Sequence, residues 1–257
     1  MGRMQDAAAL EDKLGWEADA LAAAFPEFAA VKDGFTFGEA WQQGDLDKRT
    51  RFLVTVACLA VHEGDDLQGV LSGALRAGVE PVALQEVFHQ IAPYAGFSAA
   101  QKGLAVLKRV FDAAGIATPL EPQATVTEEN RLAQGIAAQK GIFGPAIDAM
   151  REAATPENMF MQDALSAYCF GDTYTRGGLD LKTRELLTFI AIISLGGCDP
   201  QAKAHASGNL AVGNSPELIT QAVYQCVPYN GFPRSLNALT ALNQAVASFE
   251  PSTSDRA

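Results

Sequence analysis

The sequence predicts an all-α protein that is a tandem duplication of one helical unit. Residues 46–55 (LDKRTRFLVT) match residues 179–188 (LDLKTRELLT), and residues 93–97 (PYAGF) match residues 228–232 (PYNGF). The two pairs keep their order at offsets of 133 and 135 residues. Chance similarity would not hold two blocks at nearly one spacing, so we infer an internal repeat.

Each repeat is predicted to be helical, because the apolar residues follow a helical period and strand signals are sparse. Leu186, Leu187, Ile190 and Ile193 follow the i, i+3, i+4, i+7 pattern of an amphipathic helix. This run is apolar on nearly all sides, which predicts a buried helix at a subunit interface and therefore a homo-oligomer.

A connector separates the repeats. Residues 115–124 contain two prolines and no helical periodicity. We therefore predict a first repeat at residues 1–118, a second at 125–250 and a flexible tail at 251–257. Below, these two units are called repeat one and repeat two.

Composition excludes several classes of protein. The 257 residues carry a formal net charge of −11, which offers no basic face for the phosphates of nucleic acid. No stretch reaches the ~18 uninterrupted apolar residues of a membrane span, and the N-terminus has no secretory pattern. The four cysteines are widely spaced, which favours free thiols in a reducing cytoplasm.

The candidate chemistry lies in repeat two. His205 follows Cys198 by seven residues, which in a helix returns to nearly the same face, with Gln201 between them. Pro200 marks a helix start, where a thiolate at Cys198 would be stabilised by the helix dipole. The alternative is that Cys198 is a small buried hydrophobic residue.

Glu185 is the third candidate, because it lies inside an apolar run where an acid needs a partner or a function. A structural salt bridge with Arg184 is the alternative. In repeat one Arg51 matches Arg184, but Phe52 matches Glu185. Repeat one is therefore predicted to keep the framework and to lack the reactive residues.

The other histidines, His62 and His89, have no cysteine or acid at a suggestive spacing, so a structural or solvated role is expected. A zinc site needs three or four ligands, and Cys198 with His205 supplies two. We therefore predict no metal.

Residues 170–188 (FGDTYTRGGLDLKTRELLT) resemble the signature of the 4-carboxymuconolactone decarboxylases. Residues 204–239 resemble the same family, and residues 37–111 do so more weakly. The wider superfamily includes alkylhydroperoxidase D-like proteins, whose glutamate, cysteine pair and histidine resemble Glu185, Cys198, Gln201 and His205. Gln201 stands where that pattern has its second cysteine, and we expect it to contact the substrate.

The resemblance implies three possible functions. In a cofactor-free decarboxylase, Arg184 or Arg176 would hold a substrate carboxylate, and His205 would deliver a proton beside Glu185. In a thiol-dependent peroxidase, Cys198 would attack a hydroperoxide. A third possibility is a non-catalytic binding protein. The family's hexameric assemblies imply a trimer of this two-unit chain.

Overall fold

The computed structural model describes residues 2–14, 16 and 22–249, and throughout these residues the regular structure is helical, which confirms the all-α prediction. The tail predicted at 251–257 lies outside them. Repeat one contains α1 (Arg3–Leu14), α2 (Pro26–Thr36), a 3₁₀ turn (Ala40–Gln42), α3 (Lys48–His62), α4 (Leu67–Arg76) and α5 (Pro81–Ala113). Repeat two contains α6 (Arg131–Phe143), α7 (Ala146–Glu152), α8 (Met159–Ala164), a π-helical segment (Leu165–Tyr174), α9 (Leu181–Leu195), α10 (Asp199–Ala211) and α11 (Pro216–Ser248).

Helices α3, α4 and α5 recur as α9, α10 and α11, with the same local devices. Asp47 caps α3 by accepting a hydrogen bond from the Thr50 backbone N–H at 3.0 Å, and Asp180 caps α9 in the same way from Thr183 at 2.7 Å. The long helices α5 and α11 are each kinked at an equivalent glycine with positive φ, Gly96 and Gly231.

The extra length of repeat two lies in α10, which has 13 residues where α4 has 10, while the segment before it is one residue shorter. Gly78 and Gly213 end α4 and α10 with the same φ of 88°, at the offset of 135 residues, whereas α3 and α9 begin at an offset of 133. Equivalent positions therefore differ by 133 in α3 and α9 and by 135 in the later helices.

At the centre of the molecule, helices of each repeat pack against helices of the other. Helix α5 of repeat one packs on α9 of repeat two, α11 packs on α3, and α3 and α9 pack on each other. Phe189 and Ile190 of α9 are fully buried, and Ile192 and Ile193 are nearly so. Repeat one thus covers the apolar helix that was predicted to need a second subunit, because the interface forms inside one chain.

The connector lies between α5 and α6 and packs on repeat two. Gln123 accepts a hydrogen bond from the Gly177 N–H through its backbone oxygen at 2.9 Å. The Thr125 hydroxyl donates to the backbone oxygen of Thr175 at 2.8 Å. In the part of the chain that the structure describes, no helix is both long and apolar enough to span a bilayer.

Candidate active site

A buried carboxylate–imidazole pair joins α9 and α10. His205 Nδ1 lies 2.6 Å from Glu185 Oε1, and the glutamate is fully buried. The helices approach closely here because Gly208, one turn after His205, has no side chain. A Cβ at this position would lie 2.3 Å from Glu185 Oε1.

Asn209 fixes the spacing of the two helices behind the pair. Its side-chain amide donates to the backbone oxygen of Glu185 at 2.9 Å and to that of His205 at 2.8 Å. Asn214 donates in turn to Asn209 Oδ1 at 2.7 Å. Both residues of the pair are therefore held by their main chains as well as by each other.

A chain of hydroxyl groups supports the other carboxylate oxygen. Tyr174 donates from Oη to Glu185 Oε2 at 2.6 Å, and its Oη lies 2.7 Å from Thr188 Oγ1. Gln90 of repeat one donates to the same threonine oxygen at 2.9 Å. Tyr174 ends the π-helical segment, a rare geometry that often occurs at functional sites.

Aromatic rings enclose the imidazole. Tyr94 and Phe143 meet the His205 ring edge-on, with centroids 5.6 and 5.4 Å away. Burial raises the pKa of both Tyr94 and Tyr174 well above the ordinary value, and the charge of Glu185 adds to the effect. Both tyrosines are therefore neutral hydrogen-bond donors.

The free nitrogen of His205 is available for chemistry. Nε2 makes no hydrogen bond to the residues that the structure describes, and 11% of the side chain is exposed. Because Nδ1 faces the carboxylate, Nδ1 carries a proton in both the neutral and the protonated ring. In either form Nε2 is left to face a substrate. The arrangement can accept, hold or deliver a proton at Nε2.

Arg184 and Arg176 bind Glu86 of repeat one, so neither forms a salt bridge with Glu185. Arg184 Nη2 lies 3.0 Å from Glu86 Oε2, and Arg176 Nη2 lies 2.8 Å from Glu86 Oε1. Burial raises the pKa of Glu86, but the two guanidinium groups outweigh this effect and lower it. Arg184 is fully buried, so the structure does not present this predicted carboxylate-binding residue to a substrate.

Cys198, the third predicted member of the site, makes no hydrogen bond to Glu185 or His205 among the described residues. It lines a cavity of about 270 Å³, together with Arg234 and Asn237, whose lining includes neither Glu185 nor His205. It is the N-cap residue of α10, and its backbone oxygen accepts the first helical hydrogen bond, from the Ala202 N–H at 2.8 Å. Gln201 is exposed on the first turn of α10.

The equivalent place in repeat one is filled by apolar side chains. Phe52 occupies the position of Glu185 and packs edge-on against Trp41, at 5.2 Å between centroids. Val70 occupies the position of His205. Gly73 approaches Phe52 as Gly208 approaches Glu185. No proton-transfer pair is therefore possible there.

Sequence reasoning missed Gln90, Tyr94, Thr188 and Tyr174 as parts of the site. A signal was present for two of them. Tyr94 lies in the recurring PYxGF block, and Gln90 recurs as Gln225 at the same offset. What these two residues contact depends on the packing of one repeat against the other.

Comparison with known proteins defines the class to which this fold and site belong. The model of the carboxymuconolactone decarboxylase family matches the chain twice, at residues 26–109 and 161–244. The chain belongs to the carboxymuconolactone decarboxylase family, and it contains two copies of the family's unit.

Individual relatives are similar over part of their length. The 4-carboxymuconolactone decarboxylase of Acinetobacter baylyi is 34% identical over 84 residues, which cover 32% of this chain and 63% of the relative. A 15.0 kDa protein encoded in the nqo9–nqo10 intergenic region of Paracoccus denitrificans is 38% identical over 71 residues, 27% of this chain and 53% of the relative. The chain thus matches between half and two thirds of these proteins.

One solved structure shares the whole architecture. It comes from Burkholderia xenovorans and is named as a candidate gamma-carboxymuconolactone decarboxylase subunit. The match covers 95% of this chain and 98% of that one, with a TM-score of 0.57 and 19% identity. At this identity the likeness concerns the fold.

Proposed function

We propose that the chain is a carboxymuconolactone decarboxylase-like enzyme of aromatic catabolism, which removes CO₂ from a carboxylated lactone without a cofactor. The observation that carries the proposal is the 2.6 Å contact between Glu185 and His205, which leaves Nε2 free. When the electron pair left by the loss of CO₂ is delocalised into a conjugated carbonyl group, the step that remains for the protein is to supply a proton.

The proposed reaction balances with these residues alone. The bond between the carboxylate and its carbon breaks, CO₂ leaves, and the electron pair is delocalised into the conjugated carbonyl system. Protonated His205 gives its Nε2 proton to that carbon and is reprotonated by solvent. Glu185 orients the ring, while Tyr174 holds the carboxylate still.

The substrate carboxylate needs a cationic partner. Arg184 is fully buried, and its nitrogens Nη1 and Nη2 are engaged by Gln90, by Glu86 and by backbone oxygens. Arg176 retains 13% side-chain exposure while it pairs with Glu86. We therefore assign the binding role to Arg176 and a structural role to Arg184.

The peroxidase alternative is less well supported, because Cys198 makes no hydrogen bond to Glu185 or His205 among the described residues. The non-catalytic alternative does not explain the buried proton-transfer pair. Because α9 is already covered within the chain, its apolar surface no longer argues for a second subunit. We keep the homotrimer as a proposal on the family resemblance alone. Sedimentation showing a monomer at micromolar concentration would exclude it.

A paired assay tests the function: CO₂ release from 4-carboxymuconolactone and thiol-dependent consumption of a hydroperoxide, on the same purified chain. We expect His205→Ala to lower kcat for CO₂ release by roughly 10²–10⁴-fold, the usual worth of a positioned acid or base. Cys198→Ser should change it little. The proposal is overturned if the chain releases no CO₂ but consumes the hydroperoxide, and Cys198→Ser abolishes that consumption. Absence of both activities would favour the binding protein.

A further inference from the structure

A second cluster of chemically active side chains lies between the two repeats, away from His205. Cys58 and His62 are one turn apart on α3, and Cys226 and Asn230 are one turn apart on α11. We call these four residues the Cys58 cluster. The two cysteines and Asn230 are buried, and His62 is half-buried.

Asn230 joins two of the other side chains. Cys58 Sγ lies 3.2 Å and His62 Nε2 lies 2.7 Å from the same atom, Asn230 Oδ1. Cys226 Sγ lies 3.6 Å from the backbone oxygen of Val54, one turn before Cys58, which places the two cysteines beside each other where α3 and α11 pack. Asn230 Nδ2 is buried without a partner among the described residues, and it can donate to a small oxygen-bearing molecule.

The surroundings divide the two thiols into a nucleophile and a partner. Burial raises the pKa of Cys58, but the neighbouring side chains of Cys226, His62 and Ser194 outweigh this effect and lower it to about 6. Cys58 in turn raises the pKa of His62, so the imidazolium form accompanies the thiolate. Burial raises the pKa of Cys226 well above the ordinary value.

The cluster is not a remnant of the site in repeat two. The position equivalent to Cys58 is Ala191, that of His62 is Leu195, and that of Cys226 is Ile91. Nothing in repeat two therefore repeats this combination. The cysteine that the family resemblance singles out, Cys198, does not belong to it.

We propose that Cys58 and Cys226 form a redox-active dithiol that a small hydroperoxide oxidises to a disulfide between the two repeats. The Cys58 thiolate attacks the outer peroxide oxygen, the O–O bond breaks, and the leaving alkoxide or hydroxide takes a proton from imidazolium His62. The Cys226 thiol then attacks the sulfenic acid of Cys58, and water leaves as the disulfide forms. Two thiols thus lose two electrons to one hydroperoxide.

Because both thiols are buried, the oxidant must be a small molecule. A protein disulfide cannot reach sulfur atoms that are fully inside the molecule, whereas hydrogen peroxide is close to water in size. Reduction likewise requires a small thiol. The other buried thiol, Cys169, provides an internal control, because burial raises its pKa to about 12 despite the hydrogen bond to Tyr94.

The test uses the full chain carrying Cys198→Ser, which removes the one partly exposed thiol of the four. The protein is treated with hydrogen peroxide in the presence of free glutathione as a reference thiol. It is then unfolded in the presence of N-ethylmaleimide, which alkylates the remaining thiols, digested and examined by mass spectrometry. We expect a Cys58–Cys226 peptide lighter by two hydrogens, reversed by dithiothreitol, while Cys169 is alkylated. The rate should rise with pH through about 6, where the thiolate of Cys58 forms.

Two further variants separate the roles of the sulfur atoms. In Cys226→Ser, dimedone should trap a sulfenic acid at Cys58, and in Cys58→Ser the remaining thiol Cys226 should stay alkylatable. The proposal is overturned if Cys58 and Cys226 remain alkylatable after the glutathione is oxidised, or if Cys169 reacts equally fast. The parent chain alone decides this if either variant fails to fold, as judged by circular dichroism.

Discussion

Gln90 of repeat one donates a hydrogen bond to Thr188 of repeat two at 2.9 Å, and its carbonyl oxygen accepts one from Arg184 at 3.0 Å. The arrangement is reciprocal. Gln225 of repeat two donates to Thr55 at 3.1 Å and accepts from Arg51 at 3.0 Å. Each repeat therefore fills the buried polar centre of the other, but only the first of these contacts leads on to Glu185.

This near-symmetry supplies a matched pair of variants. Gln90→Ala and Gln225→Ala each leave buried partners without hydrogen bonds, so each should lower the free energy of unfolding by about 1–3 kcal/mol in urea denaturation. Only Gln90→Ala should also lower kcat for CO₂ release, because Thr188 and Tyr174 link Gln90 to the carboxylate. An equal loss of kcat in Gln225→Ala would show that the effect is global.

Tyr174→Phe removes one hydrogen bond to the ionised Glu185 and leaves the ring in place. A hydrogen bond to a charged group contributes about 1.5–3 kcal/mol, so kcat should fall by roughly tenfold to a hundredfold with little change in KM. Tyr168→Phe is the control, since the Tyr168 hydroxyl has no partner among the described residues. If both variants lose the same activity, Tyr174 does not act through Glu185.

Gly208→Ala should disable the site without removing any of its functional groups. The new Cβ would meet Glu185 Oε1 at 2.3 Å, so the carboxylate must move away from His205. A displacement of about 1 Å can cost roughly 10²-fold in rate. The equivalent Gly73→Ala meets Phe52 at 3.3 Å and should leave kcat unchanged. Retained activity in Gly208→Ala would mean that the contact with His205 is not needed.

Glu86 makes the stability of the fold sensitive to acid. Its folded pKa is lowered, so the ionised form stabilises the protein above the unfolded value of about 4.3, and this contribution is lost as the pH falls further. Glu86→Gln should cost about 3–5 kcal/mol at pH 7, because it leaves Arg184 and Arg176 without their counter-charge.

The exposed pair of Glu80 and Arg49 is the control for this prediction. Glu80→Gln should cost no more than about 1 kcal/mol. Denaturation curves at about pH 7 and about pH 4 should show that the difference in unfolding free energy between the parent chain and Glu86→Gln is smaller in acid. If this difference does not change with pH, it does not arise from the titration of Glu86.

The duplication, the helical class and the need of Glu185 for a partner could be anticipated from residues alone, because repeated blocks and an acid inside an apolar helix are local signals. That this partner is His205 was an expectation from the family resemblance. The partner of Arg184 could not be anticipated. Arg184 and Glu185 are adjacent in sequence and therefore point about 100° apart around α9. One meets Glu86 of repeat one, and the other meets α10.

The spacing of Cys198 and His205 predicts a shared helix but not a shared contact. Cys198 is the N-cap residue of α10, and among the described residues it makes no hydrogen bond to Glu185 or His205. Tyr94 and Cys58 were out of reach for another reason. Their partners are more than 70 residues away in the chain, and only the packing of the two repeats brings them together.

The connector at residues 115–124 has a consequence for how the site responds to dilution. If the repeats were separate chains, the exchange of Gln90 and Gln225 would be a dimerisation, and Glu185 would lose its support as protein concentration fell. Joining them makes the encounter intramolecular, at an effective concentration on the order of millimolar. The support for Glu185 is therefore independent of how much protein is present, at any dilution at which the chain stays folded.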